Sequence, residues 1–166
     1  MAKMESAYFA GGCFWCITPT FKETPGVSAV ISGYAGGDLQ NPTYKDVKTQ
    51  KSGHRETIKI DFDSETVSFD ELFSVFLCSV NPFDERGQFI DRGFSYTLAV
   101  YYTNEAQKQE AEKGIANLEA LSGTKVYIAV EPFKSFYPAE DEHQDYYLKH
   151  PEEFHKELVE SGRISE

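Results

Sequence analysis

Two cysteines stand three positions apart in "YFAGGCFWCIT", residues 8–18, behind a glycine pair and with two large aromatics between them. Cys13 and Cys16 could hold a metal, form a structural disulfide or carry redox chemistry. A structural zinc site needs four ligands, and one C-x2-C supplies only half of them. The four histidines, His54, His143, His150 and His155, show no paired ligand spacing, so no metal is expected. A third cysteine, Cys78, falls in the apolar stretch "SVFLCSV" and reads as a small core hydrophobe. For Cys13 that reading is the weaker one. A cysteine directly after Gly11-Gly12 at a strand-to-helix turn would meet free backbone N–H groups and the positive end of a helix dipole, the setting that lowers a thiol's pKa. Such a thiolate is a nucleophile or a redox sulfur, and Cys16, one turn along, is placed to react with whatever forms on it. Thioredoxin-type pairs carry small or polar residues between the cysteines. Phe14 and Trp15 instead suggest a pocket for a small apolar group on a substrate.

The elements that must position these groups come from a chain of 166 residues, long enough for one domain with a real core and short for two. Residues 1–150 read as a single catalytic domain and 151–166 as a charged C-terminal helix or tail. With 27 acidic against 16 basic residues the formal charge is −11, so a surface that tracks phosphates lacks its driving force and nucleic acid is not an expected partner. "MAKMESAYFAGG" has no signal-like apolar region, and no later run approaches the roughly 20 apolar residues of a membrane span. A cytoplasmic protein with no membrane contact is expected. Three cysteines in a chain too large to need staples point, in a reducing compartment, to chemistry rather than structure.

"SAYFA" reads as a buried strand running into the Gly11-Gly12 turn. Phe14, Ile17 and Phe21 have helical spacing, with Pro19 restricting where that helix begins or how straight it is. "GVSAVISGYAGG" carries Val27, Ala29 and Ile31 on alternate positions and reads as a strand entering a loop, which runs from Asp38 to His54 with one short helical turn at Tyr44 to Val47. "RETIKIDFD" alternates as a half-buried strand. Ser68 and Glu71 form a capping box for the helix that ends before Asn81-Pro82. A second glycine-punctuated loop leads to the strand "SYTLAVYYT", Asn104 caps a long helix that stops at Gly123, and "KVYIAVEPF" reads as the last strand. "YPAEDEHQDYYLKHP" reads as the start of a short helix. The irregular alternation implies an α+β fold, a two-layer sandwich in which helices cover a mixed sheet, as in a ferredoxin-like plait.

"GCFWC" resembles the catalytic motif of the A-class methionine sulfoxide reductases, the peptide-methionine (S)-S-oxide reductases, in the variant ending in cysteine where many members have glycine. The similarity extends through "SGYAGG" (32–37), "NPTYKDV" (41–47), "SGHRE" (52–56), "NPFDERGQFIDRGFSY" (81–96) and "FYPAEDEHQDY" (136–146), in the family's order and spacing. The resemblance implies that Cys13 attacks a sulfoxide sulfur, that Glu56 gives a proton to the sulfoxide oxygen, and that Tyr34 and Tyr96 hydrogen-bond that oxygen. Phe14 and Trp15 would hold the methyl group, Asp91 would help hold the hydrogen-bond network, and His143 would lie beside the substrate. A sulfoxide oxygen is a poor leaving group until protonated, so the acid's pKa must rise toward neutrality, which an aromatic, partly desolvated pocket would do.

The resemblance further implies a sulfenic acid on Cys13, a Cys13–Cys16 disulfide and regeneration by a dithiol, thioredoxin or dithiothreitol, with no bound cofactor. Many members use a cysteine near the C-terminus; "HPEEFHKELVESGRISE" contains none, which leaves Cys16, with Cys78 a remote second. The substrate would be methionine S-sulfoxide, free or in proteins. Two departures stand beside Tyr96: Ser95 where glutamine is common, and Phe94 where smaller or polar residues are usual. Without the motif, Glu56 would read as a solvated charge on a strand edge, Tyr44 as an ordinary tyrosine, and Glu140, Asp141 and Glu142 as charges at a helix N-terminus.

Overall fold

The computed structural model describes residues 3–88, 91–140, 144, 149 and 151–160, without the side chains of residues 15, 154, 157, 158 and 160. Strand β1, Met4–Gly11, sends Ala7 and Phe9 to one face of a sheet and Tyr8 and Ala10 to the other, as the period of two requires. It leads through Gly12, at φ 83°, into helix α1, Phe14–Lys22. Phe14, Ile17 and Phe21 are buried on one side of α1, so the expected apolar stripe is present. Pro19 sits inside the helix rather than at its start.

Strand β2, Val27–Ala35, follows, then the short helix α2, Tyr44–Lys48, and strand β3, Arg55–Asp63. Helix α3, Phe69–Ser79, starts with the expected reciprocal cap: Ser68 Oγ accepts the Glu71 N–H at 3.1 Å, and Glu71 Oε1 accepts the Ser68 N–H at 3.4 Å. A two-residue hairpin, β4 at Gly87–Gln88 with β5 at Asp91–Arg92, precedes a 3-10 turn, Phe94–Tyr96. Strand β6, Leu98–Tyr102, leads to helix α4, Glu105–Ser122, capped by Asn104 and ended by Gly123 in the left-handed region at φ 68°. Strands β7, Ile128–Pro132, and β8, Phe136–Pro138, follow, so "KVYIAVEPF" is not the last strand. The segment expected to start a helix at Pro138 lies largely outside the described residues; the helix Pro151–Glu160 is the last described element and touches α1.

Six strands form one sheet in the order β7-β6-β1-β3-β2-β8. The pairs are antiparallel except β6 with β7, which α4 connects as a crossover. The sheet is therefore mixed, and α1, α3 and α4 pack on one face of it, burying Phe9, Phe21, Ile58, Ile60, Phe62, Phe73 and Phe76 as one core. The reverse face carries a smaller cluster of Tyr8, Ala10, Ala35, Ala99 and Tyr101, with Phe133 stacked on Tyr8 at 4.3 Å between ring centroids.

Cys78 corrects its reading as a core residue. Helix α3 turns Phe69, Leu72, Phe73 and Phe76 inward, and a residue two places beyond Phe76 falls on the opposite side, where Cys78 is exposed.

Candidate active site

Strand β1 leaves the sheet at its end. Its last pairings are Phe9 with Ile58 of β3 and Gly11 with Leu98 of β6, after which the chain turns into α1. Beyond that point β3 and the turn before β6 face each other across a gap, and Cys13, at the N-cap of α1, occupies its helix side. Cys13 is 4 % exposed, with an extended backbone, and its carbonyl accepts the Cys16 N–H at 3.1 Å. Cys16 is half-buried in the first turn. The N–H of Phe14, one of the helix's unsatisfied donors, is taken by Glu56 Oε1 at 3.2 Å. A carboxyl group and a thiol thus meet at one helix N-terminus.

Glu56 is 1 % exposed. The edge-charge reading fails because Glu56 points to the helix side of β3, where the start of α1 lies on it and β2 pairs beside it. Tyr34 is its register partner on β2, also fully buried. The Tyr34 hydroxyl donates to Glu140 Oε1 at 2.9 Å, and the Tyr44 N–H donates to the same carboxylate at 3.1 Å. Burial, then the Glu140 hydrogen bond and the charges of Glu140 and Glu56, push the Tyr34 phenol well above its ordinary pKa. Tyr96, in the 3-10 turn, is pushed up by burial first and then by Glu56, Tyr44, Asp91 and Cys13. Strand β3, which carries Glu56, and strand β5, which carries Asp91, both touch the 3-10 turn that carries Tyr96.

The wall beside Cys13 is aromatic. Phe14 is fully buried, with its ring 5.8 Å from Tyr34 and 6.2 Å from Tyr44. Trp15 lies in α1, its side chain outside the described residues, as is the whole of His143. Ser95 is fully buried, and its Oγ is the one buried side-chain oxygen without a hydrogen-bond partner among the described residues. Sequence reasoning read Glu140 only as a charge at a helix N-terminus and Tyr44 as an ordinary tyrosine, and neither reading anticipates their contact. Glu140 follows Pro138-Ala139 at the end of β8, and β8 pairs with β2 next to Tyr34. That pairing brings the carboxylate to the phenol, and three residues of strand carry no periodic signal of it.

A thiol at a helix N-terminus, a buried carboxyl group on the adjoining N–H and two buried phenols stand together, a set of groups suited to thiol redox chemistry. The chain belongs to the peptide methionine sulfoxide reductase family, whose model matches residues 5–165, and within it to the A class. It is 44 % identical over 161 residues to peptide methionine sulfoxide reductase MsrA 2 of Staphylococcus aureus, covering 96 % of this chain and 91 % of that one. Among solved structures it resembles methionine sulfoxide reductase A of Corynebacterium diphtheriae, with TM-score 0.81 and 32 % identity over 89 % of this chain and 76 % of that one. It also resembles Mxr1 of Saccharomyces cerevisiae in reduced form, with TM-score 0.85 and 25 % identity over 90 % and 87 %. The same yeast protein, solved in complex with Trx2, shares the fold at TM-score 0.59 and 18 % identity over 87 % and 85 %.

Proposed function

We propose that the chain reduces methionine S-sulfoxide, free or in proteins, with Cys13 as nucleophile and Glu56 as proton donor. The observation that carries this is the Glu56 carboxyl on the Phe14 N–H, one residue from Cys13, with Tyr34 beside it in the register. The Cys13 sulfur attacks the sulfoxide sulfur while Glu56 protonates the oxygen. The sulfoxide gains two electrons and leaves as methionine, and Cys13 is oxidised to a sulfenic acid. Tyr34 and Tyr96 hydrogen-bond the oxygen; for Tyr34 the hydroxyl must exchange Glu140 for the substrate. With raised pKa values, both phenols remain donors throughout the neutral range. Phe14 and Trp15 receive the methyl group, Asp91 holds the network around Tyr96, and His143 contacts the substrate from the 136–146 segment. Opposite walls for oxygen and methyl select the S epimer.

Cys16 then attacks the sulfenic sulfur, water leaves and a Cys13–Cys16 disulfide forms, which an external dithiol reopens by exchange. Thioredoxin suits this step, as the yeast Mxr1–Trx2 complex suggests, and dithiothreitol would replace it in vitro; no bound cofactor is needed. Residues 1–150 act as the catalytic domain, with 151–166 as a charged appendage, in a cytoplasmic protein. Among the described residues no helix is long and apolar enough to cross a membrane. We read β1-α1-β2-β3-α3-β6, with its strand order β6-β1-β3-β2, as a ferredoxin-like plait extended by β7 and β8.

The test is racemic methionine sulfoxide with excess dithiothreitol. About half should remain, as the R epimer, since one enzyme class handles one epimer; consumption of both would overturn the assignment. A Cys16→Ser protein should release the first methionine at the parent rate and then fail to turn over with thioredoxin.

A further inference from the structure

We propose that Arg55 is a positioning residue for the reductive step, bridging from the back of the sheet the gap that β1 leaves and fixing Glu56 and Tyr96 relative to Cys13. This rests on the roles given above to Glu56 and Tyr96. Alternation along β3 turns Glu56 toward the helices and its neighbour Arg55 to the reverse face, where Arg55 is 8 % exposed. Its Nε donates to Thr97 Oγ1 at 2.8 Å, and its Nη1 to the Tyr101 hydroxyl at 3.0 Å and to Glu131 Oε2 at 2.9 Å. The guanidinium also lies 4.4 Å over the Phe94 ring. Two of these ties, to Thr97 and Tyr101, lead to the chain beside a site group. Arg55 adjoins Glu56, Thr97 adjoins Tyr96, and Tyr101 donates in turn to the carbonyl of Ala35, which adjoins Tyr34. At this level, among the described residues, β3 and β6 have no intervening strand to hold their spacing, so the planar fork supplies the connection that backbone pairing supplies elsewhere.

Losing the fork should loosen the acid and the phenol against the thiol, and small misplacements of this kind are costly to rate. The experiment is a double-mutant cycle on methionine release in a single turnover, with enzyme in excess over methionine S-sulfoxide. Arg55→Ala should slow release about tenfold in the parent and less than about twofold in a Glu56→Gln background. Cys13 should alkylate at the parent rate in each protein. Arg55→Lys, which keeps the charge without the fork, should recover only part of the loss. A slow Glu56→Gln protein with an equal Arg55→Ala loss in both backgrounds, or no Arg55→Ala loss at all, overturns the positioning role alone. A Glu56→Gln protein as fast as the parent overturns the proton-donor reading and this role with it. Where Arg55→Ala fails to fold, Thr97→Val, which removes one acceptor, reads the same cycle with an expected loss of about threefold in the parent; equal losses in both backgrounds again overturn it.

Discussion

Glu56, Ile58, Ile60 and Phe62 project from alternate positions of β3 to the helix side of the sheet, and none is more than 1 % exposed. The last three enter a layer of rings in which Phe9 and Phe76 stack at 4.9 Å. Each such side chain stabilises the fold by about 1.5–3 kcal/mol on burial. Glu56 enters a polar end of the same face and must be compensated for leaving water, in part by the Phe14 N–H. One strand therefore carries two regions of equal burial and opposite energetic sense. The apolar centre holds the sheet together, and the polar end is tolerated because the centre does so.

Substitutions should separate the two regions. The largest effect belongs to the polar end: Cys13→Ser should abolish methionine release even in one turnover, while thermal unfolding stays near that of the parent, because the hydroxyl occupies nearly the same volume. Next comes the centre. Phe76→Ala should cost about 3–5 kcal/mol of unfolding free energy, read by urea denaturation, because it opens a cavity among stacked rings. The first-turnover rate of the folded fraction should be unchanged.

Glu56→Gln sharpens the contrast, since the amide oxygen can still accept from Phe14 but the side chain has no acidic proton to give. Release of the first methionine should slow about 100-fold, or about 2.7 kcal/mol in the barrier. Denaturation should show equal or greater stability, as when a strained site is neutralised. Tyr96→Phe removes one donor and should slow the same step about tenfold, near the worth of one hydrogen bond.

How much of this was legible follows the same division. The alternation of Thr57, Lys59 and Asp61 against Ile58, Ile60 and Phe62 carries β3 directly, and the caps at Ser68 and Asn104 are local chemistry that local sequence must display. The glycine pair before Cys13 announces the turn. Strand β2 is harder: Val27, Ala29 and Ile31 alternate, yet the buried positions on the helix side are Val30, Ser32 and Tyr34, because a bulge between Val27 and Ala29 shifts the register. The β4–β5 hairpin and β8 are too short for a period. Glu140 reaches Tyr34 across 106 positions of chain and Arg55 reaches Glu131 across 76, and spacing within a window carries nothing of either. The motif blocks named the acid and the thiol, whereas the groups that hold them emerge only once the strands are ordered.

The smallest expected effect concerns pH. Tyr34 and Tyr96 both have folded-state pKa values raised above the ordinary value of 10.0, burial being the first cause and nearby carboxylates the next. A raised phenol means that the folded chain keeps a proton which the unfolded chain releases, so the unfolded state binds fewer protons once the pH passes that value. The stabilisation from these two protons is fully present at neutral pH and is lost as the pH climbs above about 10. The parent should therefore lose stability steeply on the alkaline side, and Tyr34→Phe or Tyr96→Phe should each flatten that slope, as urea midpoints measured between neutral and strongly alkaline pH would show. A slope that neither substitution changes would place the alkaline loss in the general charge of an acidic chain and remove the polar end's special share.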